Sequence, residues 1–312
     1  MNFKHSLSLF ANNLNLSFKA LLYYLIVFAS FTGLFTLVLN LNLSVITNSP
    51  EAVALVDSVT DAFGTFINGD YSFIGDLNEK LSAFIALIGA HLSSIFWSVG
   101  LGILLLYLEG VVMGVGNYTL VKLVDSHMAT ISKPGFIETM ISDLKSSLPF
   151  EALYMLVKTV MVIIVFATGY LVGLLTIRFL SAFALIIAVW VVVFLLALFF
   201  TATALFRPSV IHGLGVKAAF KARISGKQFW TNLAAYVLSI TVAIVVNVLF
   251  FLTTFGAGVI ISGALTGLFF ACLQLVIYYN VNNKKYYIDF DNIVTPIGLR
   301  EDKDLLDKVD VN

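Results

Sequence analysis

Charge is scarce in this chain. Of its 312 residues only 12% are Asp, Glu, Lys or Arg, about half the share found in a soluble globular protein. Cysteine is nearly absent, and with Cys272 alone no internal disulfide can form, which excludes a secreted disulfide scaffold. Neither sign of charge predominates, because 18 basic side chains balance 18 acidic ones. With most Lys and Arg beside hydrophobic runs, a nucleic-acid partner is not expected. Motifs of chemistry are missing too. The four histidines (His5, His91, His127 and His212) are dispersed, and there is no HExxH, no Cys/His cluster at metal-ligand spacing, no GxSxG elbow and no P-loop. The sequence asks for no metal and no cofactor, and it reads as a chain that is not an enzyme.

What is abundant is hydrocarbon. Apolar residues make up 60% of the chain and mean hydropathy is +0.98, more than one folded core can hide from water. Charge-free runs cover 20–50, 81–108, 110–121, 159–177, 179–206 and 228–283. The last of these would form a single helix about 84 Å long, against a hydrocarbon core of about 30 Å, so it must fold back on itself. Gly256 and Gly258 are the natural place for the reversal. The expected fold is all-α: a polytopic helical bundle with transmembrane helices near 20–42, 95–121, 156–177, 181–206, 231–254 and 259–280. This gives a membrane domain over 1–285 and a tail over 286–312. The stretch 44–90 is the one sizeable loop on its side, an acidic insertion with Glu51, Asp57, Asp61, Asp70, Asp76 and Glu79 against Lys80. The first span has a longer apolar run than a secretory signal and lacks a small-x-small cleavage site, so it reads as a retained helix.

Basic residues flanking spans are held on the cytoplasmic face. Under this layout only Lys80 and Arg178 fall on one side, and the remaining sixteen Lys and Arg fall on the other. Both termini are therefore expected in the cytoplasm of a bacterial plasma membrane, with an even number of spans.

Three spans are preceded by segments with helical apolar spacing. These are Phe3, Leu7, Phe10 and Leu14; Phe136, Ile137, Met140, Ile141, Leu144 and Leu148; and Val216, Ala219, Phe220 and Ile224. Each suits a helix lying in the headgroup plane, and each leads to an aromatic residue that opens a span: Phe18, Phe150 and Phe229-Trp230. Without the 44–90 insertion these anchors are nearly evenly spaced. Three repeats of interfacial helix plus hairpin fit the spacing, and so does the simple arithmetic of any six-span chain. The stretch Val216-Lys-Ala-Ala-Phe-Lys-Ala-Arg-Ile-Ser-Gly-Lys-Gln-Phe-Trp230 resembles the basic helix and Phe-Trp junction of bacterial multi-pass membrane families. Among them is the membrane region attached to some glycerophosphodiester phosphodiesterases. The resemblance implies a membrane region alone, because spans and short loops consume the chain and leave no room for the soluble catalytic domain.

Glu109 is the conspicuous polar residue, placed near the middle of the second span. A charge there costs several kcal/mol, which favours a neutral carboxyl bonded to Asn247, Gln274 or a Thr or Tyr hydroxyl. Two readings follow: a proton-coupling or substrate-binding position formed by Glu109, Asn247 and Gln274, or interhelical hydrogen bonding alone. The pairs Gly110/Gly114, Gly169/Gly173 and Gly263/Gly267 have GxxxG spacing and suit close packing within the chain. The loop from Arg207 to Lys227 is basic without an acid, and Lys217, Lys221, Arg223 and Lys227 are expected at the membrane surface against anionic headgroups. His91 and His212 read as surface residues. The tail, with Leu299, Leu305, Leu306 and Val309, offers a segment for a protein partner. Membrane lipids and such a partner are the expected interactions. The function expected is a scaffold or accessory subunit of lipid, envelope or transport machinery, with a small secondary transporter using Glu109 as the alternative.

Overall fold

A computed structural model describes residues 2–67, 73–180, 183–254, 258–289 and 291–295, with side chains at these positions except 62–67, 73–77, 178 and 180. The elements are α1 (Asn2–Asn12), α2 (Leu14–Thr47), α3 (Pro50–Ile67), α4 (Phe73–Ala90), α5 (Leu92–Thr130), α6 (Phe136–Leu180), α7 (Phe183–Thr203), α8 (Phe206–Ile211), α9 (Val216–Ala219), α10 (Gly226–Thr253) and α11 (Val259–Val281). A two-stranded antiparallel hairpin follows, β1 (Tyr286–Tyr287) with β2 (Ile293–Val294). Among the described residues, six helices are long and apolar enough to cross a membrane. The chain is an integral membrane protein of the multi-pass, all-α kind. Its surface agrees: Phe179 is 85% exposed, Leu175 70% and Phe96 71%, and such side chains are at ease only in lipid.

The chain divides into two compact units, Val27–Glu109 and the combination of Met1–Ile26 with Gly110–Asn312. In the first, α3 packs along α4, so most of the described part of 44–90 is helical where a loop was expected. Its sequence carries the start signal. Ser49 Oγ accepts the Ala52 N–H at 3.0 Å, Pro50 occupies the first helical turn, and Glu51 follows, which is how a helix N-terminus satisfies its free donors. Asp70 lies outside the described residues.

In the larger unit α11 is the central helix: 61% of its apolar stretch is buried, against 11–22% in the other five spans. Buried positions run without interruption from Ala271 to Tyr279. Around it lie α1 and α10, and α7 packs between α10 and α6. The hairpin closes the end of α11, where Asn283 adopts a positive φ of 50° and the Lys284 N–H donates to the Tyr279 carbonyl at 2.8 Å, a common helix stop. Tyr286 is fully buried. The segment after Lys285 therefore begins as part of the core, and the tail leucines from Leu299 onward lie outside the described residues.

The three expected interfacial helices take three different forms. The first is separate: α1 ends at Asn12, and the side-chain amide of the next residue, Asn13, turns back to the Leu9 carbonyl at 2.9 Å, breaking the helix before α2. The second is continuous with its span in the 45-residue α6, which passes through Pro149. That proline is exposed and only withholds a hydrogen bond from the carbonyl one turn back. The third shrinks to the four-residue α9. The reversal between α10 and α11 falls where expected. Gly258 donates its N–H to Thr254 Oγ1 at 2.6 Å, while Gly256 lies outside the described residues.

Two of the three GxxxG pairs mark helix contacts. A side chain on Gly114 would meet Glu151, with its Oε2 2.5 Å away, and one on Gly110 would run into Met155, so one face of α5 is open for α6. Gly169 and Gly173 likewise admit Val192 and Ala188 of α7. In the third pair Gly267 lies near Asn117, whereas Gly263 faces open space.

Candidate functional site

The densest polar constellation is built on residues that were expected at the membrane edge. Glu151, on α6, is 2% exposed, and Arg207, opening α8, grips it with two hydrogen bonds: Nε to Oε1 at 2.7 Å and Nη2 to Oε2 at 3.0 Å. This fork-to-fork geometry is the strongest form of the pair. Gln274 of α11 accepts a third bond from Arg207 Nη1 at 3.4 Å. The guanidinium carbon sits 5.4 Å above the Tyr154 ring, a cation over a π face. Tyr154 in turn stacks between Phe150 and Phe199, with centroids 5.7 and 6.3 Å away, and its hydroxyl is paired with Thr203 Oγ1 at 3.3 Å. Arg207 is thus part of the core, which corrects its expected place in a surface loop. A proline at 208 and the turn after α7 swing it back into the bundle, where a desolvated carboxylate awaits it.

A second constellation lies where α5, α8 and α11 meet. Asp125, 6% exposed, accepts the Tyr279 hydroxyl at 2.9 Å and pairs with His212 Nε2 at 3.0 Å. His212 is exposed as a residue, as expected of it, but its ring stacks on Tyr278 with centroids 4.7 Å apart. A third, made of amides, joins the N-terminus to the end of α11: Asn2 donates to Asn232 at 2.6 Å and accepts from Asn280 at 2.8 Å. His5 and the Tyr286 hydroxyl share a bond of 2.7 Å. Burial raises the Tyr286 phenol to about 12, so it stays neutral. Beyond it, hydrogen bonds from the Asn292 side chain and from the Asp291 and Asn292 backbones hold the Asp289 carboxyl below its ordinary range.

Of the three residues proposed from sequence, Asn247 and Gln274 serve separate contacts within the larger unit. Asn247 accepts the Ser262 hydroxyl at 2.6 Å and donates to the Ala243 carbonyl at 2.7 Å, tying α10 to α11. Gln274 is committed to Arg207. Glu109 closes the other unit and is half-buried, with no hydrogen bond among the described residues. Lys217, Lys221, Arg223 and Lys227 are all exposed. Among the described residues no three His, Cys, Asp or Glu side chains come together as metal ligands.

Sequence reasoning missed the Glu151–Arg207 pair because 56 residues separate its members. The available signal was an acid inside an aromatic cluster, Phe150-Glu151-Ala-Leu-Tyr154, at the head of a span. No protein-family model, no curated protein and no solved structure matches this chain.

Proposed function

We propose that this integral membrane protein is a non-enzymatic scaffold or accessory subunit of lipid, envelope or transport machinery. In this reading it lies in a bacterial plasma membrane with both termini in the cytoplasm. The observation that carries the reading is the use to which its buried polar groups are put. Glu151, Arg207 and Gln274 satisfy one another, Asp125 is held by Tyr279 and His212, and Asn247 is held by Ser262. A carrier keeps polar groups free near the midplane to exchange between solute and solvent. Here they fasten helices to one another. The placement of α1 beside the end of α11 supports termini on one face, and the excess of Lys and Arg there supports the cytoplasm. Purification from native membranes in mild detergent should yield a defined complex of fixed stoichiometry, and the isolated chain in liposomes should move no solute. Solute flux by the isolated monomer would overturn the proposal.

One observation favours the alternative of a small secondary transporter: Glu109 is half-buried in a long apolar helix without a hydrogen bond among the described residues. Intramembrane acids of that kind are functional in many transporters. Glu109→Gln separates the two. A carrier loses the pH dependence of its uptake, and a scaffold keeps its complex.

A further inference from the structure

At the junction of α1, α2 and the end of α5 lies a small open cavity of about 20 Å³, lined by Asn13, Asn15, Lys19, His127, Ser132 and Lys133 together with the apolar Leu16, Leu123 and Pro134. Its polar lining is rich in cations and carries no acid. Lys19 and Lys133 are exposed, and neither belongs to an ion pair among the described residues. His127 is 5% exposed. Its Nε2 lies 3.3 Å from the Ile288 carbonyl, which can only accept, so Nε2 carries a proton, and in the neutral ring Nδ1 is the acceptor. That Nδ1 is buried without a partner, a state that costs a protein about 1–3 kcal/mol.

The backbone brings Lys133 to this place under strain. Ile131, just past α5, has a φ of 59°, a left-handed conformation that a β-branched residue rarely adopts. Such strain is kept where the surrounding structure uses it. Phe18, next to Lys19, is 69% exposed at the head of a span, the kind of aromatic position that membrane proteins favour near lipid headgroups.

We propose that this cavity binds a phosphate group with a hydroxyl beside it. The hydroxyl oxygen enters the cavity, which has room for about one water-sized atom, and leaves the phosphate at its mouth. Lys19 and Lys133 neutralise the charge from its mouth, and the adjacent hydroxyl donates to His127 Nδ1. Two sources have this chemistry: an anionic phospholipid with a hydroxylated headgroup, such as phosphatidylglycerol, and free inorganic phosphate with its own P–OH. The site adds a ligand to the scaffold reading and stands without it.

The test uses the full chain in detergent, loaded with phosphatidylglycerol or phosphatidylcholine, washed and examined by native mass spectrometry. Wild type should retain phosphatidylglycerol and lose phosphatidylcholine. Lys19→Gln with Lys133→Gln should weaken retention about tenfold or more. His127→Gln, which can keep the Ile288 bond while removing Nδ1, should weaken it several-fold. Lys145→Gln with Lys285→Gln, both exposed and outside the cavity lining, should leave it unchanged. If millimolar inorganic phosphate displaces the lipid from wild type, both sources share the site. If phosphate binds with the same variant dependence and the lipid does not, the soluble anion is the ligand. Equal retention of both lipids, with no phosphate binding that depends on Lys19, Lys133 and His127, overturns the proposal. So does loss in the Lys145/Lys285 control equal to that in the site variants. Should the double variant fail to fold, exposed Lys19→Gln alone decides in the same way.

Discussion

The desolvated pair of Glu151 and Arg207 fastens α6 to the residues around α8. Removing one member leaves the other charged and buried, which costs about 3–5 kcal/mol, whereas replacing both with apolar residues of similar size is often neutral. Glu151→Gln or Arg207→Gln should therefore lower the detergent melting temperature sharply, and Glu151→Leu with Arg207→Met should recover most of the loss. Equal melting of the single variants and wild type would show that the pair does not hold the bundle. Gly114 belongs to the same argument, because a methyl group there meets Glu151 Oε2 at 2.5 Å. Gly114→Ala should destabilise by about 1–3 kcal/mol, while Gly263→Ala, facing open space, should not. None of this was legible in the composition. Arg207 counted as one more basic residue near a span end, and the same residue type serves topology when exposed and packing when buried.

Among the elements, helices with uninterrupted apolar runs could be read directly from the sequence, since a bilayer leaves the backbone no alternative to satisfying itself. All six spans were legible for that reason, and so was the α10–α11 reversal at glycine. The amphipathic entries were not. Their spacing shows that one face is apolar, but nothing in it says whether the helix is separate like α1, continuous with its span like α6, or cut to one turn like α9. That is decided by Asn13 stopping one helix and Pro149 failing to stop another. The hairpin after α11 gives a pH test. Asp289 is held below its unfolded value near 3.8, so its contribution is present above that value and is lost as pH falls through the lower folded one. Backbone exchange between Tyr286 and Val294 should be flat from pH 8 to 5 after correction for intrinsic rates, and should accelerate below about 4. Asp289→Ala should exchange fast throughout. A hairpin indifferent to both changes would remove the carboxyl from the account.

For the whole molecule, the claim is that lipid surrounds most of this polypeptide and that both ends share one aqueous compartment. The scarcity of charge and the lopsided placement of Lys and Arg carry that claim, and α11 at the centre of its unit is its structural counterpart. The natural Cys272 is free and fully buried, so it should be silent toward a membrane-impermeant maleimide. Single cysteines can then be placed in a Cys272→Ser background at Asp57 and at Lys221, both exposed, and labelled in intact cells. The account predicts that Asp57→Cys reacts at once and that Lys221→Cys reacts only after the membrane is permeabilised. Labelling of Lys221→Cys from outside, or protection of Asp57→Cys until the cells are opened, would contradict it.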